Sequence, residues 1–441
     1  MKKKVLPVCF LALCLALCLA LSVGMVFAGP SEAGANEQLA GFPSLMTKEG
    51  KWNTDYLSQL SDYIGDRFFL RQELISTDHW LSGKLFGVSG DPGVILGKGG
   101  WLYYADTLAD YTGTDAMTDR ELFAAANNLE IMDRYCRENG RQFLFVIAPN
   151  KNSLYNENMP DYGQRAELTD ARRLLEELAL RQVNTVDLFT AFGEQEQILY
   201  FAHDSHWNTK GAALGADRIN EAFGVESSYY NGDFSEEVAH AGDLYAMLYP
   251  AFTDPEKDRV YGGKLNYAFT TSATRPDAII LSTESGKPGS LLAYRDSFGN
   301  LLFPFLADSY GTVRFSRSNS YDLTRESDYV LIELVERNLG YLTANLPVMP
   351  APKAEIDLPD TVGGTVTVTA EKRGDWLQVK GQLPETDDDS PVYVACADGV
   401  YEAFCLNEQG FGLSLAPDAA VEYVVCTANG KLVKYEMQIQ S

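Results

Sequence analysis

The chain has 441 residues and a formal net charge of -25 at pH 7, from 36 Lys and Arg against 61 Asp and Glu. So acidic a surface repels polyphosphates and anionic lipid head groups, which argues against nucleic acid as a partner and leaves a neutral or cationic glycan as the better fit. At 46% hydrophobic and 22% charged residues the composition is that of a globular chain, long enough for one large domain plus a smaller one, and not that of a disordered one.

The opening stretch, MKKKVLPVCFLALCLALCLALSVGMVFAGP, places Lys2, Lys3 and Lys4 before 24 uncharged residues from Val5 to Ala28. The pattern is that of a secretory signal over 1–28, and the run is also long enough to span a hydrocarbon core of about 30 Å. A cleaved signal and a retained tether through residues 5–28 both remain open, and in either case the lysines stay inside while the rest is exported. The expected location is the outer face of the cytoplasmic membrane or the cell envelope. A lipoprotein anchor fits less well, because Cys14 and Cys18 each follow a leucine.

Residues 29–54 read as a small, polar stalk. From Asp55 to Leu81 apolar residues recur at helical spacing, and VILGKGGWLYY, from Val94, reads as a hairpin turning at Gly-Lys-Gly-Gly. Thr118 and Glu121 form a capping box that opens a helix ended by Gly140. Thereafter RQFLFVIAP is a strand, LTDARRLLEELALR a helix, NTVDLF and ILYF short strands, AALGADRINEAF a helix, DAIILS and SLLAY strands, LLFPFLADS a helix, and TVRF and DYVLIELV strands. Apolar strands alternating with helices predict a parallel sheet covered on both faces, an α/β domain over 55–345. Residues 224–276 break the rhythm and read as an insertion beside the core. A proline-rich linker at 346–352 leads to 353–441, where TVTVTA, DWLQVKG, PVYVACA and VEYVVCT alternate at period two and predict a small all-β, sandwich-like domain. Cys396, Cys405 and Cys426 allow at most one bridge there, and Cys136 stands alone in a helical pattern. The sequence has no C-x-x-C spacing.

The chain holds 4 histidines, and two of them, His203 and His206, fall in FAHDSHWNTKG at 201–211. In an extended segment Asp204 and His206 project to the same side, so the carboxylate can fix the imidazole tautomer and leave its other nitrogen as a base. SLLAYRDSFGN supplies a nucleophile, since Ser297 stands where an apolar strand stops and an apolar helix begins, a place rich in free N–H groups. Asp204 would orient, His206 take the proton and Ser297 attack an ester carbonyl. Two plainer readings stand beside this one: Asp-Ser before a helix is ordinary capping, and His203, Asp204 and His206, with His240 as a fourth ligand, could hold a metal, although three ligands within four residues strain a tetrahedral site. Trp207 is either core or a sugar-facing indole.

HDSHWNTKGA followed by YRDSFGN resembles the SGNH hydrolase-like proteins of exopolysaccharide O-acetylation, the AlgJ/AlgX type, and especially the DHHW proteins of Gram-positive bacteria. DRFFLRQELI, VILGKGGWLYY, FVIAPNKNSLY, AGDLYAML and YVLIELVERNL extend the similarity over about 55–340. The resemblance implies a flavodoxin-like, three-layer α/β/α fold and catalytic roles for Asp204, His206 and Ser297. It implies acetyl transfer to, or removal from, a cell-surface polysaccharide through an acyl-serine, with a membrane-bound O-acyltransferase as acetyl donor and no cofactor or metal. Two positions depart from the pattern: Arg295 stands where a GDS motif has glycine, and Ser205 stands where the DHHW name has its first histidine. Lys151, Arg337 and Glu333, at predicted strand ends, are candidates for the site rim, and Trp207, Lys151 and Arg337 for substrate contact. A glycan-binding scaffold without catalysis and a structural envelope protein are the other two readings.

Overall fold

The computed structural model describes residues 2–27, 38–238, 242–407 and 409–440. Lys2–Phe27 is one helix, and its segment Pro7–Met25, with mean hydropathy 2.6, is long and apolar enough to cross a membrane by length and composition. Ala28 and the first part of the expected stalk lie outside the described residues. The helix expected over Asp55–Leu81 is two helices, Tyr56–Gly65 and Arg71–Phe86, separated by a turn in which Leu70 has φ 62°. Gly65 weakens the helix there. The turn is fixed by residue 40, whose N–H donates to Asp66 and whose carbonyl accepts from Arg67.

Strands β1 (Val94–Leu96) and β2 (Leu102–Tyr104) form the expected hairpin, with Gly99 and Gly100 at φ 64° and 88° in its turn. Thr118 and Glu121 make the capping box of the helix Asp119–Glu138. The central sheet takes β3 (Gln142–Ala148) and β4 (Thr185–Val186). Next in the chain, β5 (Phe234–Val238) and β6 (Lys257–Tyr261) pair apart from it. The remaining sheet strands are β7 (Tyr267–Phe269), β8 (Ile280–Ser285), β9 (Ser290–Arg295), β10 (Thr312–Ser316) and β11 (Tyr329–Val335), in the spatial order β4-β3-β11-β9-β10-β8-β7. From β4 to β10 the pairing is parallel, whereas β8 and β7 run antiparallel at one edge. The reason lies in the link from Ser285 to Ser290, far too short for the dozen or more residues that a parallel crossover needs.

Alternate residues of β3 serve opposite faces. Leu144, Val146 and Ala148 pack with the helices Leu188–Gly193, Thr209–Ala222 and Gly299–Ser309, while Phe143, Phe145 and Ile147 pack with Asp119–Glu138, Asp170–Leu180 and Tyr341–Ala344. Two of the expected strands are replaced. In NTVDLF only Thr185–Val186 is extended, because Asp187 accepts the Thr190 N–H and caps a helix from Leu188. ILYF contributes only a single bridge, Tyr200 to Trp207, at the root of a loop.

The C-terminal strands form one sheet rather than the two facing sheets of a sandwich. The last strand, Lys431–Ile439, pairs parallel with the first long one, Val362–Arg373, and with Phe404–Leu406 pairing to Gly410–Gly412 the sheet closes into a seven-stranded barrel, while the short strand Lys353–Ala354 lies outside it. Closure satisfies both edges that a sandwich would leave open. The barrel packs on the helix Asp119–Glu138: Asn128 bonds Leu342 O, Cys405 O and the Cys405 N–H, and Arg120 donates to Ser390 O. Leu346 and Met349, both in the stretch read as linker, are buried. Cys136, Cys396, Cys405 and Cys426 are buried free thiols.

Candidate active site

The apolar strand β9 ends at Arg295, and the turn Asp296–Ser297–Phe298 delivers the chain to the helix Gly299–Ser309. Asp296 fixes this turn from both sides: Oδ1 accepts the Phe298 N–H at 2.9 Å, and Oδ2 accepts the Val335 N–H at 2.7 Å and Asn338 Nδ2 at 2.8 Å. Arg295, the departure from a glycine, is buried and donates to Asp296 O, Asn300 Oδ1 and Pro276 O. Burial pulls its pKa down to about 10. Gly299 makes room for it, since a Cβ there would stand 2.2 Å from Arg295 Cδ. The guanidinium thus serves as a strut under the turn.

Opposite stands the loop 201–206, which precedes the helix Thr209–Ala222 capped by Asn208. Asp204 and His206 meet through a tight turn rather than along a strand, because Asp204 Oδ1 also accepts the His206 backbone N–H at 2.9 Å. His206 Nδ1 lies 2.7 Å from Asp204 Oδ1 and His206 Nε2 lies 2.8 Å from Ser297 Oγ. With Nδ1 donating to the carboxylate, Nε2 is left to accept from the serine hydroxyl.

The electrostatics agree with an ion-paired acid. Burial opposes ionisation of Asp204, but the hydrogen bond and charge of His206 outweigh it and hold the carboxyl far below its usual range. Burial likewise pulls His206 down, and the hydrogen bond and charge of Asp204, followed by the charge of Asp243, push it above its ordinary value.

Among the other residues singled out by sequence, Ser205 places its Oγ 3.2 Å from His206 Nδ1, and Arg337 faces the cluster with its guanidinium over the rings of Tyr104 and Phe298. Trp207 is 0% exposed and donates from Nε1 to Phe298 O at 3.1 Å, joining the two halves of the site from beneath instead of meeting substrate. Lys151 is buried too, and its Nζ donates to Phe201 O, Ala202 O and Asp204 O at 3.1, 3.1 and 2.6 Å, so it is a post under the loop and not a rim cation. Glu333 lies on β11 opposite Arg295, fully buried below the turn, where burial and then the Asp296 charge push its pKa well up. His203 lies tilted against the Tyr245 ring with Nδ1 toward Asp254, and His240 lies outside the described residues. Asp204, His206 and Asp243 do offer ligand atoms within 4.8 Å of one another, a different trio from the one read in the sequence.

The insertion supplies what sequence reasoning missed. Asp243 opens the helix Asp243–Leu248; its carboxylate accepts the Ser205 N–H at 2.7 Å and Oγ at 2.6 Å, its own N–H donates to Asp204 Oδ2 at 2.9 Å, and its Oδ2 is 3.6 Å from His206 Nδ1. Gly242 permits this approach, because a Cβ would meet His203 O at 2.2 Å. Glu256 accepts the N–H groups of Ala202 and His203, each at 2.7 Å. The signal was present as Gly-Asp in AGDLY, but nothing in the sequence tied it to the distant loop.

Ser297 and His206 border two cavities. One, about 830 Å³, is polar, with Tyr104, Asp106, Arg317, Asn319, Arg337 and Asn338 in its wall. The other, about 500 Å³, is walled by Phe201, Val238, Val260, Phe298 and Leu301. A wider depression of about 960 Å³ around Asp217 and Tyr230 shares no residue with either.

Comparison with known proteins gives a family match over residues 94–260, to the SGNH hydrolase-like domain of the acetyltransferase AlgX. That span includes Asp204, His206 and Asp243 and stops short of Ser297. The chain is 24% identical over 257 residues to a probable alginate O-acetylase AlgJ from Pseudomonas syringae pv. tomato, covering 50% of this chain and 60% of that one. It therefore spans less than two thirds of that relative's length. Among solved structures it is similar to a DHHW family protein from Eubacterium siraeum, at 17% identity and TM-score 0.41, covering 51% of this chain and 90% of the other. PatB1 from Bacillus cereus, at 18% identity and TM-score 0.42, covers 56% and 96%. The resemblance of the motifs to the AlgJ, AlgX and DHHW proteins is matched by these comparisons.

Proposed function

We propose that the exported part of this chain is a serine-dependent O-acyltransferase or acylesterase acting on a cell-surface polysaccharide. The observation that carries the reading is the continuous chain Asp204 Oδ1, His206 Nδ1, His206 Nε2, Ser297 Oγ, with links of 2.7 and 2.8 Å. Ser297 Oγ attacks the carbonyl carbon of an acyl ester while its proton passes to His206 Nε2. The bond to the leaving oxygen then breaks, and that oxygen takes the proton from His206. In the second half a hydroxyl attacks the acyl-serine, gives its proton to His206, and departs as the new ester, with Ser297 regenerated. Water as that hydroxyl gives an esterase and a bound sugar gives a transferase. Asp204 holds the imidazole in one tautomer and stabilises the imidazolium. The Ser297 N–H, at the entry to a helix, is the candidate donor for the oxyanion.

The names of the similar proteins support acetyl as the group and polysaccharide as the acceptor. The N-terminal apolar helix supports a location at the cell envelope, and a membrane-bound O-acyltransferase is the proposed source of acetyl groups. Mass spectrometry after exposure to an activated acetyl ester tests the reading. An acetyl group should appear on Ser297 and be absent in Ser297→Ala and, at a rate lowered on the order of 10⁴-fold, in His206→Ala. No acetyl on Ser297 in the wild-type protein would leave the chain as a glycan-binding scaffold.

A further inference from the structure

We propose that the two helices after the N-terminal apolar segment lie on the bilayer, with the leucine face of Arg71–Phe86 seated in the lipid interface. The proposal takes residues 5–28 as a retained tether and does not use the acyl-serine chemistry. Arg71–Phe86 is amphipathic the wrong way round for a helix on a water-facing domain. Toward the domain it turns small and polar groups. Ser76 Oγ accepts the Ala251 N–H at 2.8 Å, His79 Nδ1 donates to Leu248 O at 2.7 Å, and a Cβ added at Gly83 would stand 3.4 Å from Leu96 Cδ1. Leu74, Leu81 and Leu85 fall on the opposite side, within roughly 40° of one another around the helix, and all three are exposed. The preceding helix, Tyr56–Gly65, has no buried residue, and Leu57 and Ile64, two turns apart on one face, are 77% and 47% exposed. So short a helix is marginal in water without packing, and a second surface must cover these faces.

Two observations point to lipid as that surface. First, Phe69, in the turn between the two helices, lies against Gly24, where a Cβ would stand 2.4 Å from Phe69 Cδ1. Gly24 belongs to the segment Pro7–Met25, long and apolar enough to cross a membrane, so the turn sits beside the end of the tether, away from Lys2, Lys3 and Lys4. Second, residues 42–88 carry 5 Lys and Arg against 6 Asp and Glu, a net -1 in a chain of -25. Anionic head groups repel the rest of so acidic a surface, but not this segment. Asp78 and Lys84 border the leucines, and Trp52 and Trp80 are exposed nearby in the chain. An interface, apolar below and wet above, accommodates both kinds of residue. Leu248 ends the helix opened by Asp243, so a bilayer-seated Arg71–Phe86 also holds the candidate site at a fixed height above the membrane.

The test is tryptophan quenching in the full-length protein, reconstituted into vesicles of phosphatidylcholine and phosphatidylglycerol whose acyl chains are brominated near the head group. Residues 1–27 contain no tryptophan, so the tether itself gives no signal. Bromine quenches on contact, and total emission should fall by roughly a third, a little under the share of Trp52 and Trp80 among the 5 tryptophans. Trp52→Phe with Trp80→Phe should abolish the quenching, and Leu81→Trp added to that pair should restore it. An unquenched wild type overturns the proposal and leaves the leucine face to a protein partner or a second copy. Quenching that survives the double replacement, or an unquenched Leu81→Trp, overturns it too, as does recovery of the cellular protein cut after Ala28. None of these outcomes depends on acylation of Ser297, so the failure of either proposal leaves the other standing.

Discussion

Replacing Lys151 by methionine separates the role read in the sequence from the one its position supports. The ammonium serves three carbonyls of the loop that carries Asp204 and His206, at 3.1, 3.1 and 2.6 Å, and lies 5.1 Å from the centre of the Tyr103 ring. Hydrogen bonds to a charged group contribute about 1.5–3 kcal/mol each, while removal of a buried ammonium returns several kcal/mol of desolvation. The balance is a loss of about 2–4 kcal/mol, which for a chain of 441 residues lowers Tm by roughly 2–4 °C. Loosening the loop also misplaces the base, and displacements near 1 Å cost on the order of 10²-fold in rate. Lys151→Met should therefore melt early and acylate slowly at saturating ester. Burial pulls the Lys151 pKa down to about 7, against the opposing charges of Asp204, Asp243 and Glu256, from an unfolded value near 10.5. Between these values the unfolded chain binds the proton that the folded chain has released, so stability rises with pH from about 7 to 10.5. The methionine variant lacks that rise, and the stability difference between the two proteins should move in favour of the wild type across this window. An unchanged Tm with a raised KM would restore Lys151 to the rim and refute the loop-post argument.

Asp243→Asn keeps an acceptor for the Ser205 N–H but removes a negative charge 3.6 Å from His206 Nδ1, where Asp204 and Arg337 are the other charges acting on the ring. His206 must be neutral to accept the serine proton, so the acid limb of kcat/KM should shift to lower pH; an unmoved limb would make Asp243 a purely structural contact. Deleting residues 353–441 strips the Cys405 and Ser390 partners from Asn128 and Arg120, and the remaining fragment should melt more than about 5 °C below the full chain. Equal melting temperatures would mean that the barrel contributes nothing to the α/β domain.

Local rules carried the sequence reading where a local interaction decides. The Thr118 capping box and the Val94 hairpin need only residues within reach of one another in the chain, and both formed. The reading failed where a short-range competitor won. Asp187 could extend a strand or cap a helix, and its bond to the Thr190 N–H decided for the helix. Sheet direction and barrel closure failed for a different reason. Alternation at period two reports that a strand has one buried face, but does not report whether the last strand returns to the first, as Lys431–Ile439 does to Val362–Arg373.

The grouping of Asp204 and His206 was legible because a single residue, Ser205, separates them, although a turn brings them together rather than a strand. Ser297 was legible from the change of pattern at Arg295, a strand end followed by a helix start. Residues that act from beneath the site were legible only as chemistry without a direction. Lys151 and Trp207 were rightly drawn to the site and wrongly drawn to its surface, because sequence gives the distance from a motif and not the side on which a chain crosses it. Asp243 shows the opposite limit. A segment read as an insertion beside the core sends Gly242 and Asp243 back to within hydrogen-bond distance of Asp204 and Ser205. A break in the α/β rhythm is thus a reason to look for site residues within it, since a segment that escapes the sheet is free to close over the end where Ser297 stands.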